Sequence, residues 1–430
     1  MAYVVERLAS WAVESRSRPF PPEAIYHAKR AVIDWHAAYT PGSVVAPATL
    51  LGKAFPGERD LPRTRALIMG SAAHTEELDD IFRDGIYHPG APTISAALAV
   101  APSVGLSGMS FLRAVVVGYE ISTRIGAAMG RAHYKYWHNT GTIGVFGACA
   151  AVAEILGLDK RSFSHALATV TTFAAALQQA FRMDSMSKPL HAGRAAEAGV
   201  TAAFAAREGV TGSLDVIEGE AGFGRAMSDG PDWDKALATL GEDWHITRMT
   251  FKNHACCGHT FAAIDGALAL KERMKIAAED IARVRVGTYR AGVEVAHYEK
   301  PRTPAEGRFS LKYVVATALT HGSVRLSAFQ HERLSDSKTI RLMEKISTGI
   351  DPELDATFPR QRAARVAIET KNGKREELLQ PTRKGDPDLP LSDRELEEKY
   401  TELVAPVLGA EKAQNLLQSL WRLESLPQLP

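Results

Sequence analysis

The sequence predicts a mostly α-helical protein with an inserted α+β domain, on three observations. From about residue 5 to 240, apolar residues recur three and four apart in alanine-rich stretches, the period of helices. After about residue 247 the texture changes. Residues 281–289 alternate like a strand, and 365–370 and 375–378 flank Lys371-Asn372-Gly373-Lys374, the Asn-Gly turn of a hairpin. From residue 389 the helical pattern returns. The division expected is therefore a helical domain from both chain ends (1–247 and 389–430) and a smaller α+β domain (248–388), with a cleft between them.

Taken in order, 3–15 and 21–39 read as amphipathic helices, the second opening with Pro21-Pro22-Glu23. Helices over 92–104, 110–128, 142–156, 160–179 and 190–207 follow. Some are apolar nearly all round, as in Thr142-Ile143-Gly144-Val145-Phe146-Gly147-Ala148, which suits the inside of a bundle. Gly141, Gly144 and Gly147 do not make a phosphate loop, because no strand precedes them and their spacing fits neither pattern. In the α+β part, helical patterns over 262–274, 311–320 and 338–346 separate the strands. Gly385-Asp386-Pro387-Asp388 reads as a linker and Ser392-Asp393-Arg394-Glu395 as a capped helix start.

A chain of 430 residues is long enough for two or more domains. Its formal net charge of +1, without a long basic run, argues against nucleic acid as a partner. Three cysteines, two of them adjacent, cannot build a disulfide framework and suit a reducing cytosol. The early Glu6 and the shortness of the apolar runs argue against a signal peptide or a membrane span, so a cytoplasmic location is expected.

The most informative stretch is Ser187-Lys188-Pro189-Leu190-His191-Ala192-Gly193. Proline is favoured at the first helical position, which puts Lys188 beside a helix start. Cations are not favoured there, so a lysine held at that end makes sense if an anion binds between its ammonium and the free backbone N–H groups. Other polar clusters interrupt apolar or glycine-containing contexts: 74–90, 136–142, 250–260 and 308–313. Cys256, Cys257, His254 and His259 do not read as zinc ligands. Adjacent cysteines point in different directions and no second ligand pair follows. A cysteine nucleophile there lacks an oxyanion hole and an orienting acid.

In their order and spacing these pieces resemble the MmgE/PrpD superfamily, which includes 2-methylcitrate dehydratase, cis-aconitate decarboxylase and iminodisuccinate epimerase. The matching segments are Gly70-Ser71-Ala72-Ala73-His74 with Leu78-Asp79-Asp80, His88-Pro89-Gly90, Trp137-His138-Asn139-Thr140-Gly141-Thr142, and Ser187-Lys188-Pro189-Leu190-His191-Ala192-Gly193. Glu220-Ala221-Gly222-Phe223-Gly224, Phe251-Lys252 with Cys257, and Arg308-Phe309-Ser310-Leu311-Lys312-Tyr313 complete the set. The resemblance implies a homodimer, an α+β lid, an active site in the interdomain cleft, and no metal or organic cofactor. It places Asp79 or Asp80, His88, His138, Lys188, Lys252 and Tyr313 where members carry active-site groups. The chain departs from the pattern at Glu77 and Ile81, where members often carry Asp and Thr or Ser, and at Cys257, where some carry histidine.

The implied chemistry is making or breaking a bond next to a carboxylate. Such a C–H is a poor acid, so the site must neutralise the carboxylate while a base takes the proton. Lys188 and Lys252 would hold a small di- or tricarboxylate, with Asp79 and Cys257 also contacting substrate. His138 and His88 would handle protons, Asp80 would orient one imidazole, and Tyr313 would give a proton to a leaving hydroxyl or to the opposite face of a planar intermediate. The first expectation is dehydration of a citrate-like acid. Decarboxylation of a cis-aconitate-like acid and epimerisation are its rivals in the same pocket. A non-catalytic helical binding protein is the reading from another class, and the retained charged residues argue against it.

Overall fold

The computed structural model describes residues 2–181, 185–358 and 360–430. Contacts divide the chain into two compact units, Met1–Thr250 with Ser392–Pro430, and Phe251–Leu391.

The first unit is helical. Its elements are α1 (Val4–Glu14), α2 (Pro22–Ser43), α3 (Pro62–Ala73), the short strand β1 (Ile81–Phe82), α4 (Gly90–Val100), α5 (Gly108–Tyr134), α6 (Asn139–Thr142), α7 (Gly144–Ile155), α8 (Lys160–Thr171) and α9 (Ser187–Arg207). Strand β2 (Met249–Thr250) pairs antiparallel with β1. The main packing partners are α9 with α3 and α7, and α7 with α4 and α5. Small residues let these helices approach closely. A Cβ on Gly70 of α3 would lie 2.8 Å from the Gly193 Cα of α9, so both positions need glycine's missing side chain. Local signals set the helix ends. Asp159 accepts from Ser162 N at 2.7 Å before α8, and Ser107 accepts from Ser110 N before α5.

Two sequence expectations shift here. Helix α8 ends at Thr171, not near residue 179. The run Thr169-Val170-Thr171-Thr172 weakens the helix, and the chain beyond it pairs with the segment before α6 through a Trp137–Leu177 bridge and the bond from His138 N to Ala176 O. Helix α9 begins at Ser187, so Lys188 lies inside the first turn and Pro189 is its third residue.

The second unit is α+β. Its sheet has the order β4-β3-β5-β6, formed by β3 (Ile281–Thr288), β4 (Ile346–Ile350), β5 (Ala364–Thr370) and β6 (Arg375–Gln380). β3 runs parallel to β4 and antiparallel to β5, while β5 and β6 form the Asn-Gly hairpin, with Gly373 at φ +86°. Helix α10 (Phe261–Met274) packs on β5 and β6, and α11 (Leu311–His321) packs on α10. Strand β4 was not expected: the helical pattern at 338–346 stops at Met343, and Ile346 opens a strand along β3.

The C-terminal helices α12 (Asp393–Leu408) and α13 (Ala410–Trp421) belong to the helical unit. Ser392 and Glu395 form a capping box at the start of α12. Among the described residues no helix is long and apolar enough to cross a membrane.

Candidate active site

The polar centre of the helical unit lies in the segment between α3 and α4. Residues 74–90 carry few repeating bonds of their own, and tertiary contacts pin them instead. Lys399 of α12, fully buried, donates to the Leu78 carbonyl at 2.7 Å and to Asp34 Oδ1 of α2 at 2.6 Å. Tyr87 OH donates to Ser122 Oγ of α5 at 2.8 Å, and Asn139 Nδ2 donates to the Gly85 carbonyl at 2.7 Å. Glu77 and Ile86 adopt left-handed φ values of 59° and 51°, unusual for residues with a Cβ.

This pinned segment gathers histidines about one carboxylate. His74 Nδ1 donates to Asp79 Oδ2 at 2.6 Å, and His88 Nδ1 lies 3.2 Å from the same oxygen. The His74 ring stands edge-on to His88, centroids 4.7 Å apart, and stacks with His138 at 5.4 Å. His138, the residue before α6, faces His191 of α9 with the two Nδ1 atoms 3.0 Å apart. Beside them Lys188 is paired with Glu77.

Electrostatics differentiates these groups. Burial pushes the Asp79 carboxyl up, but His74 and His88 outweigh it and hold it well below the usual carboxylate range. Burial, helped by His74, Lys188 and other nearby imidazoles, holds His138 well below the usual histidine value. Burial with His74 and Lys188 pushes His191 down to about 4. Both rings are therefore neutral near pH 7.

The structure brings His88, His138, Asp79 and Lys188 into one cluster, and two expected roles change. Among the described residues Asp80 touches no imidazole. It accepts from Gly90 N at 2.9 Å, capping the start of α4, and from Tyr119 OH at 2.7 Å. Burial, with Asp34 nearby, pushes its carboxyl up to about 8, so it is mostly protonated at neutral pH. The carboxylate on the imidazoles is that of its neighbour Asp79, which is only 1% exposed and sealed between His74 and His88. A histidine-holding role fits it better than substrate contact.

His74, His191 and Glu77 had no assigned role in the sequence reading. One signal was available: His191 lies three residues after Lys188 on a helix, so the two share a face.

Lys252, Cys257 and Tyr313 belong to the second unit. Lys252 is buried there, and Cys257 is partly exposed with its N–H on the Arg308 carbonyl at 3.0 Å. The Tyr313 hydroxyl, expected to serve a leaving group, donates to the Ala328 carbonyl inside the unit. His254 pairs with Asp265 at 2.9 Å, His259 with Tyr289 OH at 2.9 Å, and Cys256 with Thr260 at 3.3 Å. His254, His259, Cys256 and Tyr313 are thus each engaged in a local contact within the unit.

Among the described residues, His74, Asp79 and His88 are the one group whose donor atoms lie close enough to hold a metal, all within 4.8 Å. The 2.6 Å contact between His74 and Asp79 is a direct charge-assisted hydrogen bond. Ligands about a zinc-sized ion at roughly 2.0–2.2 Å would spread further apart.

The chain has relatives among known proteins over most of its length. The chain is 28% identical to the cis-aconitate decarboxylase-like protein oryM of Aspergillus oryzae, over 98% of this chain and 95% of the relative. It is 26% identical to human cis-aconitate decarboxylase over 85% of this chain and 77% of the relative. Against the Aspergillus terreus cis-aconitate decarboxylase it is 25% identical, over 86% and 83%. Residues 6–236 match the MmgE/PrpD N-terminal domain and residues 254–424 the MmgE/PrpD C-terminal domain, and the chain belongs to the MmgE/PrpD family.

Proposed function

We propose that this chain is a carboxy-lyase that removes CO2 from a small unsaturated tricarboxylate of the cis-aconitate type. The observation that carries the reading is the cluster of His74 and His88 on Asp79 with the facing pair His138 and His191, buried at His74, His138 and Asp79, and with Lys188 at its side. Named activities of the relatives point the same way.

Decarboxylation of a β,γ-unsaturated acid needs three things. The remaining carboxylates must be neutralised, and the departing carboxylate must sit where neutral CO2 is favoured over a hydrated anion. A proton must also reach the far carbon of the allylic system as the C–C bond electrons shift across it. Lys188 in the first turn of α9 supplies the cation, and a substrate carboxylate binding there exchanges for Glu77, like charge for like. Asp79 keeps the rings of His74 and His88 in place. His138 gives the proton. Dehydration has less support, because Tyr313, the expected donor to a leaving hydroxyl, already donates to a backbone carbonyl.

The test is NMR of cis-aconitate, citrate-like hydroxy acids and amino-dicarboxylates incubated with the protein in D2O. Release of one carboxyl carbon, with one deuteron gained at carbon in the product, is expected from cis-aconitate. Alkene formed from a hydroxy acid without CO2 would establish dehydration instead. Deuterium exchange without net conversion would establish epimerisation. Thermal stabilisation by these acids with no turnover would leave a binding protein.

A further inference from the structure

His138 is neutral in its buried site, and a neutral imidazole is a weak acid unless a proton reaches its second nitrogen as the first one leaves. Its second nitrogen has a partner. His138 Nδ1 lies 3.0 Å from His191 Nδ1, and two nitrogens facing at that distance share one proton, so one ring must donate and the other accept. We propose that His191 is the positioning residue of this site, fixing the tautomer of His138 and passing it a proton.

The fold brings the pair together deliberately. Gly141 in α6 makes room for α9: a Cβ there would lie 3.1 Å from His191 Cβ and 2.5 Å from Ala176 Cβ. The bond from His138 N to Ala176 O at 3.0 Å fixes the backbone on the other side. His74, His88, Lys188 and Asp79 surround the pair, the first three raising the cost of a net positive charge on His138. His191 is partly exposed, whereas His138 is buried, so one ring exchanges protons with water more readily than the other.

The step balances. At the start His191 carries its proton on Nδ1 and His138 on Nε2. As CO2 departs, the electron pair of the broken C–C bond shifts through the alkene and the far carbon takes the His138 Nε2 proton. His138 Nδ1 takes the proton of His191 Nδ1, and His191 Nε2 takes one from water. Both rings end neutral with their tautomers exchanged, and one solvent proton is consumed for each CO2 released.

This inference rests on the decarboxylase reading, and its test separates the two. His191→Asn places an amide near the position of Nδ1, whereas His191→Leu fills the space without a polar atom. With cis-aconitate as substrate, His191→Leu should lower kcat on the order of a hundredfold with KM little changed, and should move the acid limb of the pH profile. His191→Asn should recover only part of that loss, because an amide holds the His138 tautomer by donating a hydrogen bond but passes it no proton. Independently of turnover, ¹⁵N NMR of the histidines should show one neutral tautomer of His138 in the wild type and in His191→Asn, and a mixture in His191→Leu. Unchanged kcat, pH profile and His138 tautomer in His191→Leu would overturn the relay, while inactivity of His138→Gln beside them would leave the decarboxylase reading standing. If no acid is turned over by the wild type, that reading falls and the ¹⁵N spectra still decide whether His191 sets the tautomer.

Discussion

A single carboxylate oxygen, Asp79 Oδ2, organises two imidazoles, while adjacent Asp80 accepts instead from Gly90 N and Tyr119 OH. Asp79→Asn keeps the size but loses the charge that both rings face. It should cost about 1–3 kcal/mol in denaturant unfolding and lower kcat for cis-aconitate by far more than Asp80→Asn does. Equal activity of the two variants would show that Asp79 does not hold the catalytic imidazoles. Glu77 makes the second prediction at this scale. Its carboxylate occupies Lys188, so Glu77→Gln should lower KM for a tricarboxylate several-fold by removing an internal competitor. A raised KM would mean that Glu77 helps to bind substrate. His88, His138 and Lys188 were legible in the sequence because polar residues stand out in apolar, glycine-rich runs. Asp79 could not be told from Asp80, since only tertiary contacts decide which of two neighbouring carboxyls meets a ring. The contacts of His74 and His191 with His138 join distant segments, and the one local trace of them was the shared helix face of His191 and Lys188.

At the scale of elements, the site depends on how α9 seats against α3. A side chain on Gly193 would collide with the Leu67 carbonyl and Ser71 Oγ, so Gly193→Ala should push the helices apart and carry Lys188 and His191 with them. The expected result is about 1–3 kcal/mol of destabilisation together with loss of turnover, measured by chemical unfolding and product NMR. A wild-type melt and rate would show that the contact has slack. The long helices were legible from their period, and the hairpin from its Asn-Gly turn. The end of α8 and strand β4 were not, because pairing with other segments overrode the local helical pattern in both places. The start of α9 at Ser187 likewise overrode the position that Pro189 suggested.

For the whole molecule, buried titratable groups predict how stability depends on pH. Burial above all pushes His36, His133, His191 and His245 to about 4 and His259 to about 3. Unfolded, these rings protonate near 6.5, so the unfolded state binds more protons between roughly pH 4 and 6.5 and stability falls as pH drops through that window. Buried acids act in the opposite sense. Burial chiefly raises Asp34 to about 6, Glu120 to about 7 and Asp80 to about 8, so the folded chain holds protons that the unfolded chain has released, and stability falls as pH rises through those values. Thermal melts from pH 4.5 to 9 should therefore peak at about pH 6–7, and a midpoint still rising towards pH 5 would contradict the balance. The sequence by itself determined the helical body, the α+β insertion and the family, because periodicity, turn chemistry and ordered motifs are properties of neighbouring residues. Only the tertiary structure decided that Asp79 holds the imidazoles, that Glu77 sits on Lys188 and that His191 faces His138. Those relations join residues 5 to 111 positions apart, and a proton or a charge responds to distance in space, not along the chain.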